Sequence, residues 1–205
     1  MTTAAETTVR AEVGPNPVAL NRGDYNGNPA GIGFLALLRE DLKTNGGSIL
    51  DQGFWAISAH RFGNWRMGIR FKPFRAPLTI LYRFMYLFVE VAAGISLPYT
   101  ISLGRRVRIW HHSGIILNAR SIGDDVHIRQ NTTFGLISIE RDGEIPTIGN
   151  RVDIGCGACI LGGVTVGDDC TIGANAVVTA DIPPNCMAFG IPARIIRKPV
   201  RGGQS

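Results

Sequence analysis

Large aliphatic residues recur at every sixth position in the second half of the chain. Each is followed, four positions later, by a small or aliphatic side chain. A period of six matches neither an amphipathic helix, with a period of about 3.6, nor an alternating strand, with a period of about 2. It fits short strands joined by corners, with one large side chain per flat side pointing inward. The repeating residues are Ile148, Ile154, Ile160, Val166, Ile172 and Val178.

Three such sides predict a closed coil of about 18 residues, and stacked coils would pair their strands at about 4.8 Å. The core would then be a continuous aliphatic column, as in a solenoid. Glycine follows four of the repeating residues and permits a close or unusual backbone at a corner. The same frame is expected earlier in the chain. Its members there are Leu103, Ile109 and Ile115, then, after a shift of one residue, Ile122, Ile128 and Phe134.

This repeat resembles that of the hexapeptide acyltransferases, whose fold is a left-handed parallel β-helix. The resemblance implies a mainly β protein of that architecture. The left-handedness comes from the resemblance alone, because general rules for crossover connections predict the opposite hand.

The remaining sequence predicts an N-terminal α-helical domain and further segments. Residues 1–32 are expected to form a flexible leader, because Gly, Asn and Pro are frequent in them. Residues 33–100 carry helix-like apolar spacing. Residues 101–192 would form the β-helix, interrupted by a loop at 137–147, and residues 193–205 a basic C-terminal tail.

Charge and composition limit the possible partners. The chain is 45% hydrophobic and 18% charged, which indicates a globular protein. Its net charge of +5 is concentrated between His60 and Arg106, where eight basic residues face a single acid, Glu90. This excess suits a phosphate-bearing ligand or an anionic membrane surface. No nucleic-acid partner is expected, because no nucleic-acid-binding motif is present.

One segment, residues 78–95, is apolar enough to suggest a membrane. Arg83 and Glu90 interrupt it, and charges are costly at a bilayer centre. A packed helix is therefore the favoured interpretation, with peripheral membrane contact as the alternative. The N-terminus has no apolar core of the length of a secretory signal, so a cytoplasmic location is expected.

The cysteines do not predict a metal site. Cys156 and Cys159 form a C-x-x-C sequence, but a structural zinc needs two more ligands at matching spacing, and only Cys170 and Cys186 remain. The repeat frame places Cys170 inward and the other pair at corners. We therefore interpret the C-x-x-C spacing as incidental and expect no metal.

Within the hexapeptide group, the chain is most similar to serine acetyltransferases, especially short relatives linked to cell-surface polysaccharide synthesis. The similarity covers Phe34 to Pro199 and includes "GFWAISAHRFGNW" and "GIPARIIRKP". The histidine that matches His111 is the family's general base. A hydroxyl attacks a thioester only if its proton is removed, and a neutral imidazole can accept that proton. The resemblance also implies acetyl-CoA as co-substrate, no permanently bound cofactor, and a homotrimer with sites between subunits.

Several positions depart from the family pattern. Ser96 stands where an acid usually orients the base, and Trp110 where an aspartate usually precedes it. Glu144 and Ile145 stand where serine-specific relatives carry an Arg-His pair in the 137–147 loop. With Trp110 in place of the aspartate, the cation for a serine carboxylate and the acid for its amine are both missing at the matched positions. An aromatic side chain beside the base suits a sugar hydroxyl in polysaccharide synthesis, which is the predicted acceptor.

Two other functions stay open. L-serine is the alternative acceptor, and a catalytically weak scaffold that binds a partner through its helical domain is an alternative of another class. His112 is interpreted equally as an acceptor contact or an ordinary surface residue.

The donor site is expected at small residues and a basic C-terminus. Gly135, Cys156 and Ala174 match positions that line the pantetheine channel in the family. The basic side chains that would meet the CoA phosphates, or else form a solvated tail, are Arg194, Arg197 and Lys198.

Overall fold

The computed structural model describes residues 20–138 and 143–199. Three helices come first: α1 (Phe34–Thr44), α2 (Gln52–Trp65) and α3 (Lys72–Ala93), with one 3-10 turn at Arg66–Gly68. Asp51 caps α2 by accepting a hydrogen bond from the Phe54 backbone N–H. Gly94 ends α3 in the left-handed conformation.

Short strands make up the rest of the described chain. They are β1 (Ile95–Ser96), β2 (Ser102–Leu103), β3 (Arg108–Trp110), β4 (Ile115–Leu117), β5 (Ser121–Ile122), β6 (His127–Arg129), β7 (Thr133–Gly135), β8 (Thr147–Ile148), β9 (Asp153–Ile154), β10 (Cys159–Leu161), β11 (Thr165–Val166), β12 (Thr171–Ile172), β13 (Val177–Val178), β14 (Cys186–Phe189) and β15 (Arg194–Arg197).

Three sheets wrap around one core. Sheet A has the order β1-β4-β7-β10-β13, sheet B the order β2-β5-β8-β11, and sheet C the order β3-β6-β9-β12-β14-β15. The strands of each sheet pair in parallel, except that β15 runs antiparallel to β14. In sheet C, Ile154 is in register with Ile128 on one side and with Ile172 on the other. Both neighbours lie in adjacent coils, and the step from Ile154 to Ile172 is the expected 18 residues. The prediction of a parallel β-helix with an aliphatic core is confirmed.

A column of glycines lines the corner between sheets B and C. A Cβ atom added to any of the four would come within 2.5 Å of an atom of the next coil, so no larger residue fits. We call this edge the glycine corner. The glycines are needed for close approach, and the left-handed conformation falls two residues later, as at Arg106 and Asp125. The four residues are Gly104, Gly123, Gly149 and Gly167.

The end segments differ from the sequence prediction. Part of the expected leader packs on α2: the Gly27 N–H donates to Asn64 Oδ1, and Asn28 Nδ2 donates to the Arg61 carbonyl. Polar side chains that bind backbone groups hold this segment, and hydrophobic spacing does not reveal them. Residues 193–199 are likewise more than a tail, because they contain β15. Residues 1–19 and 200–205 lie outside the described part of the chain.

A buried ion pair joins the helical domain to the first coil. Arg61 Nε lies 2.9 Å from Asp41 Oδ2, and both side chains have no exposed surface. The same guanidinium donates to the backbone carbonyls of Leu103, at 2.8 Å, and Gly104, at 2.6 Å. Burial raises the pKa of the Asp41 carboxyl above its ordinary value, and Arg61 acts in the opposite direction. All the acceptors around Arg61 therefore depend on one cation.

Replacing this cation should destabilise the fold. Arg61→Met leaves a buried carboxyl and two carbonyls without a donor, and we expect a loss of about 3–5 kcal/mol in the free energy of unfolding. Arg151→Met is the matched control, because Arg151 pairs with Asp169 at the exposed surface. Exposed pairs contribute little, so this variant should unfold near the wild-type denaturant midpoint. Equal midpoints for the two variants would contradict the assigned role of Arg61.

Candidate active site

The corner that carries the two histidines is longer than the equivalent corners of later coils. Ile109 is in register with Ile128, and Leu117 with Phe134. The chain therefore takes eight steps from sheet C to sheet A here, and six in the next coil. The expected frame was wrong at this point, because Leu117 rather than Ile115 stacks on Phe134. The two extra residues lie within residues 111–114, which are all exposed. We call this segment the histidine corner.

The backbone of the histidine corner is also unusual. Three of its residues have positive φ: His111 at 62°, Ser113 at 85° and Gly114 at 67°. The next three coils each have one such residue at this place, namely Asn131, Gly157 and Asn175. Left-handed backbone is uncommon for residues other than glycine, and histidine tolerates it better than most.

Hydrogen bonds fix this corner on both sides. The Ser113 N–H donates to the Ala93 carbonyl, and the Ile115 N–H donates to the Gly94 carbonyl. On the other side, the Asn131 N–H donates to the Ser113 carbonyl at 3.1 Å. The end of α3 and the next coil therefore hold the backbone in place.

The imidazoles of His111 and His112 remain accessible. Both residues are exposed, and neither ring makes a hydrogen bond within residues 20–138 and 143–199. A fixed backbone that presents an uncommitted imidazole to solvent can bring a general base to a bound hydroxyl.

Trp110 lies between two basic side chains. The Arg108 guanidinium stacks 3.5 Å above its ring, and the His127 ring meets it edge-on at 5.9 Å. Arg108 makes no ion pair with any residue that the structure describes. Sequence reasoning missed Arg108 as a site residue, although alternation along β3 places it on the same outer face as Trp110.

Three buried polar atoms around the histidine corner have no partner among the described residues. They are Trp110 Nε1, Gln130 Oε1 and Thr132 Oγ1. An unsatisfied buried polar group costs about 1–3 kcal/mol. A polar acceptor molecule at the corner could satisfy Trp110 Nε1 and Gln130 Oε1, whereas Thr132 is fully buried in the core of the β-helix. Gln130 was missed from the sequence, and its signal was that it follows β6, the register partner of β3.

Ser96 is engaged with a tyrosine rather than with the base. Its Oγ lies 2.7 Å from the Tyr86 hydroxyl, which also reaches Glu90 Oε1 at 3.4 Å. Burial raises the pKa of Tyr86 above its ordinary value. In β1, Ser96 is paired with Ile116, five residues beyond His111. The structure thus reveals a Tyr86–Ser96 hydroxyl pair that the sequence analysis did not anticipate.

Two of the expected donor-site residues share an edge with His111. Cys156 and Ala174 lie at the same corner, two and three coils further along the β-helix. At about 4.8 Å per coil, they lie about 10 and 14 Å along the axis from the coil of His111. Gly135 ends β7, and a Cβ atom added there would meet no atom within 4 Å. The space beside Gly135 is therefore open.

The three basic C-terminal residues separate in space. Arg194 pairs with Phe189 at the end of β14 nearest the histidine edge, while Arg197 pairs with Cys186 at the opposite end. Lys198 Nζ donates to the Asp169 carbonyl at 2.7 Å, beside the glycine corner. Of these three residues, only Arg194 lies toward the edge of the β-helix that carries His111.

Glu144 lies at a different corner. It follows the break between β7 and β8 and packs against the backbone of Gly163, between β10 and β11. This is the corner between sheets A and B, whereas His111 lies between sheets C and A. A single chain therefore does not bring Glu144 and His111 together. Residues 139–142 of this loop lie outside the described residues.

The cysteines are free thiols. Cys170 and Cys186 are buried, Cys156 and Cys159 half-buried. Cys170 points inward as expected, and burial raises its pKa. Across the ranges 20–138 and 143–199, no cluster of three or more His, Cys, Asp or Glu side chains could hold a metal ion.

Comparisons with known proteins agree with this architecture. The family model described as bacterial transferase hexapeptide (six repeats) matches residues 145–180. A serine acetyltransferase of Helicobacter pylori strain J99 is 36% identical over 151 residues, which cover 73% of this chain and 84% of that protein. The Mycobacterium tuberculosis serine acetyltransferase is 33% identical over 74% of this chain. The chain spans 64% of the length of that relative.

A solved structure gives the same result for the fold. The soybean serine acetyltransferase complexed with serine superposes with a TM-score of 0.64 at 27% identity, covering 80% of this chain and 68% of that one. The mainly β fold, a left-handed parallel β-helix after an N-terminal α-helical domain, is as expected from the sequence. The chain belongs to the serine acetyltransferase-like family of hexapeptide-repeat acyltransferases.

Proposed function

We propose that this protein transfers an acetyl group from acetyl-CoA to a hydroxyl, with His111 as the general base. The observation that carries the proposal is the histidine corner, which is fixed at Ala93, Gly94 and Asn131 and presents an uncommitted imidazole. Family membership supplies the reaction class. No permanently bound cofactor is needed, because the thioester is already activated.

The chemistry follows from the position of the base. His111 accepts the hydroxyl proton while the oxygen attacks the thioester carbonyl and a C–O bond forms. The tetrahedral intermediate then collapses, the C–S bond breaks, and the CoA thiolate takes the proton from the imidazolium. Cys156 and Ala174 follow His111 along one edge, so they offer a path of small side chains for the pantetheine arm.

L-serine is the first candidate acceptor. The relatives are serine acetyltransferases by name, and the soybean structure is a complex with serine. A serine carboxylate requires a cation, and the unpaired guanidinium of Arg108 lies directly over Trp110, the neighbour of the base. Arg108 could therefore replace the Arg-His pair that Glu144 and Ile145 have displaced.

A sugar hydroxyl is the second candidate. Trp110 beside the base favours a sugar, because an aromatic face packs well against a neutral polyol. An indole also has no carboxylate to bind the amine of serine. The unpartnered Trp110 Nε1 and Gln130 Oε1 are also neutral groups that could bind sugar hydroxyls.

The proposal includes a homotrimer with sites shared between subunits. The support is that Glu144 and His111 occupy different corners of one chain. A second subunit could bring its 137–147 loop to the first subunit's histidine corner.

Loss of the base should abolish most of the activity. His111→Ala is expected to lower turnover by about 10²- to 10⁴-fold, the usual contribution of a general base. CoA binding, measured by calorimetry, should persist because the donor path is untouched. His112→Ala is the matched control at the same corner and should retain most of the wild-type turnover. Wild-type turnover in His111→Ala would rule out this mechanism.

The acceptor can be identified by a thiol-release assay with acetyl-CoA against L-serine, nucleotide sugars and free sugars. L-serine is expected to give the highest kcat/KM. Arg108→Gln should raise the KM for serine by about 10- to 100-fold, because a charge-assisted contact is lost. Arg39→Gln, an exposed residue of α1, should leave the KM unchanged. A preference for a sugar would favour the second candidate, and no thiol release with any acceptor would favour a scaffold.

Restoring the missing acid should change the pH dependence. In Ser96→Asp, we expect the longer side chain to turn from the Tyr86 hydroxyl toward His111. Its carboxylate would then favour the protonated imidazole, so the acidic limb of the rate profile should move to higher pH. Turnover at pH 8 should rise, because the imidazolium of the transition state gains a partner. Ser96→Asn is the control with the same shape and no charge, and its acidic limb should stay in place. Identical profiles for the Asp and Asn variants would show that position 96 does not act on His111.

A further inference from the structure

The outer face of α3 is apolar and exposed. Only 17% of the most apolar part of this helix is buried, although by length and composition the helix could cross a membrane. Phe84 is 68% exposed and Val91 79% exposed. We call this surface the apolar α3 face. Its large side chains are Phe74, Ile80, Leu81, Phe84, Leu87, Phe88 and Val91.

The opposite side of α3 packs against the protein. Tyr82, Val89 and Ala93 are buried there, and the Arg66 guanidinium stacks 4.6 Å from the Tyr82 ring centre. At about 100° per residue, these positions point away from Phe84 and Val91. Lipid therefore cannot surround the helix, and α3 cannot be a membrane span in this fold.

Three of the four charged residues of α3 lie on one flank of the apolar face, and the fourth, Arg75, falls within about 20° of Tyr82 on the packed side. Lys72, Arg83 and Glu90 fall within about 20° of one another around the helix axis. In the sequence, Arg83 and Glu90 interrupt the apolar stretch, but on the helix surface they border it. Neither Lys72 nor Arg83 makes an ion pair with another residue in the described ranges. This border of cations beside an apolar band is the pattern of an interfacial helix.

Neighbouring side chains extend the apolar surface. The Trp55 ring packs 5.7 Å from Phe88, and Trp55 Nε1 donates to the Ile49 carbonyl at 2.7 Å. Ile49 and Leu50 are themselves about 70% exposed. A groove of about 250 Å³ between α2 and α3 opens beside Phe84 and Phe88. The exposed apolar area is therefore larger than one helix face.

We propose that the apolar α3 face binds the surface of an anionic lipid bilayer, with α3 lying parallel to it. Such a helix buries its apolar side about 5–10 Å into the headgroup region. Of the basic residues between His60 and Arg106, Arg70, Lys72 and Arg83 are exposed just before or along α3, and these cations complement anionic headgroups. A second copy packed face to face on this helix would bring its own Lys72 and Arg83 against the same exposed cations, and their repulsion disfavours that arrangement. The cytoplasmic leaflet carries anionic lipid, which agrees with the location expected from the sequence.

Vesicle flotation with the full-length protein tests this proposal without any acetyl transfer. The wild type should float with vesicles of phosphatidylcholine and phosphatidylglycerol, and much less with phosphatidylcholine alone. Phe84→Glu should lower the partition coefficient by about tenfold or more, because one large apolar side chain no longer inserts. Ile196→Glu makes the same change at an exposed residue of β15 and should float like the wild type.

The contribution of the basic side chains to vesicle binding can be measured separately. Lys72→Gln and Arg83→Gln should each lower partition into anionic vesicles by about fivefold at low salt. Lys43→Gln on α1 is the matched control and should have no effect. Equal flotation of all variants, or no flotation of the wild type, would overturn the proposal. Light scattering gives a further check: loss of the expected trimer in Phe84→Glu would show that a second copy covers this face instead.

Discussion

The attachment of the helical domain to the β-helix depends on the buried cation of Arg61. It forms an ion pair with Asp41 of α1 and donates hydrogen bonds to the carbonyls of Leu103 and Gly104 in the first coil. Asn45 adds to this joint, since its side chain bonds the backbone of Val107 and Ile109. A solenoid needs a terminal unit that covers its first coil. Here, α1 and α2 satisfy the polar groups of that coil and provide this cover.

The same domain also sets the candidate site. The end of α3 holds the histidine corner through the carbonyls of Ala93 and Gly94. Without this support, two extra residues and three left-handed conformations would form a loop with no fixed orientation. The proposed chemistry thus depends on a place where the repeat is broken, and the end of α3 holds the backbone there in one orientation.

The fold could be read from the repeat because each coil adds its core residue at a fixed interval. Ile154 and Ile172 are 18 residues apart and stack as expected. The predicted frame failed at Ile115 because the corner before Leu117 is longer than in later coils and the side after it is shorter. Leu117 precedes the next core residue, Ile122, by five positions instead of six. A gain of two residues and a loss of one appear in the sequence as a shift of one residue, and their separate places become visible only in the register.

The site could be predicted only in part. His111 was identified through the family resemblance, and Trp110 and Ser96 through their offsets from it. Arg108, Gln130 and Tyr86 were missed because no spacing along the chain brings them together. Stacking of coils places Gln130 beside the histidine corner, and the packing of α3 on β1 places Tyr86 against Ser96. Such contacts between coils require the three-dimensional register.

The glycine corner and the histidine corner differ in their tolerance of change. At Gly104, Gly123, Gly149 and Gly167, the next coil lies so near that even one methyl group would push the stack apart. At the histidine corner, two additional residues leave the strands on either side in register. Later coils return to the close approach along this edge too, because a Cβ atom added to Gly155 or Gly173 would come within 2.5 Å of the next coil. Along this edge, the length of the chain therefore varies only at the histidine corner itself. A new acceptor pocket could arise by altering the length of that corner, provided that the next side adjusts as the short step from Leu117 to Ile122 does here.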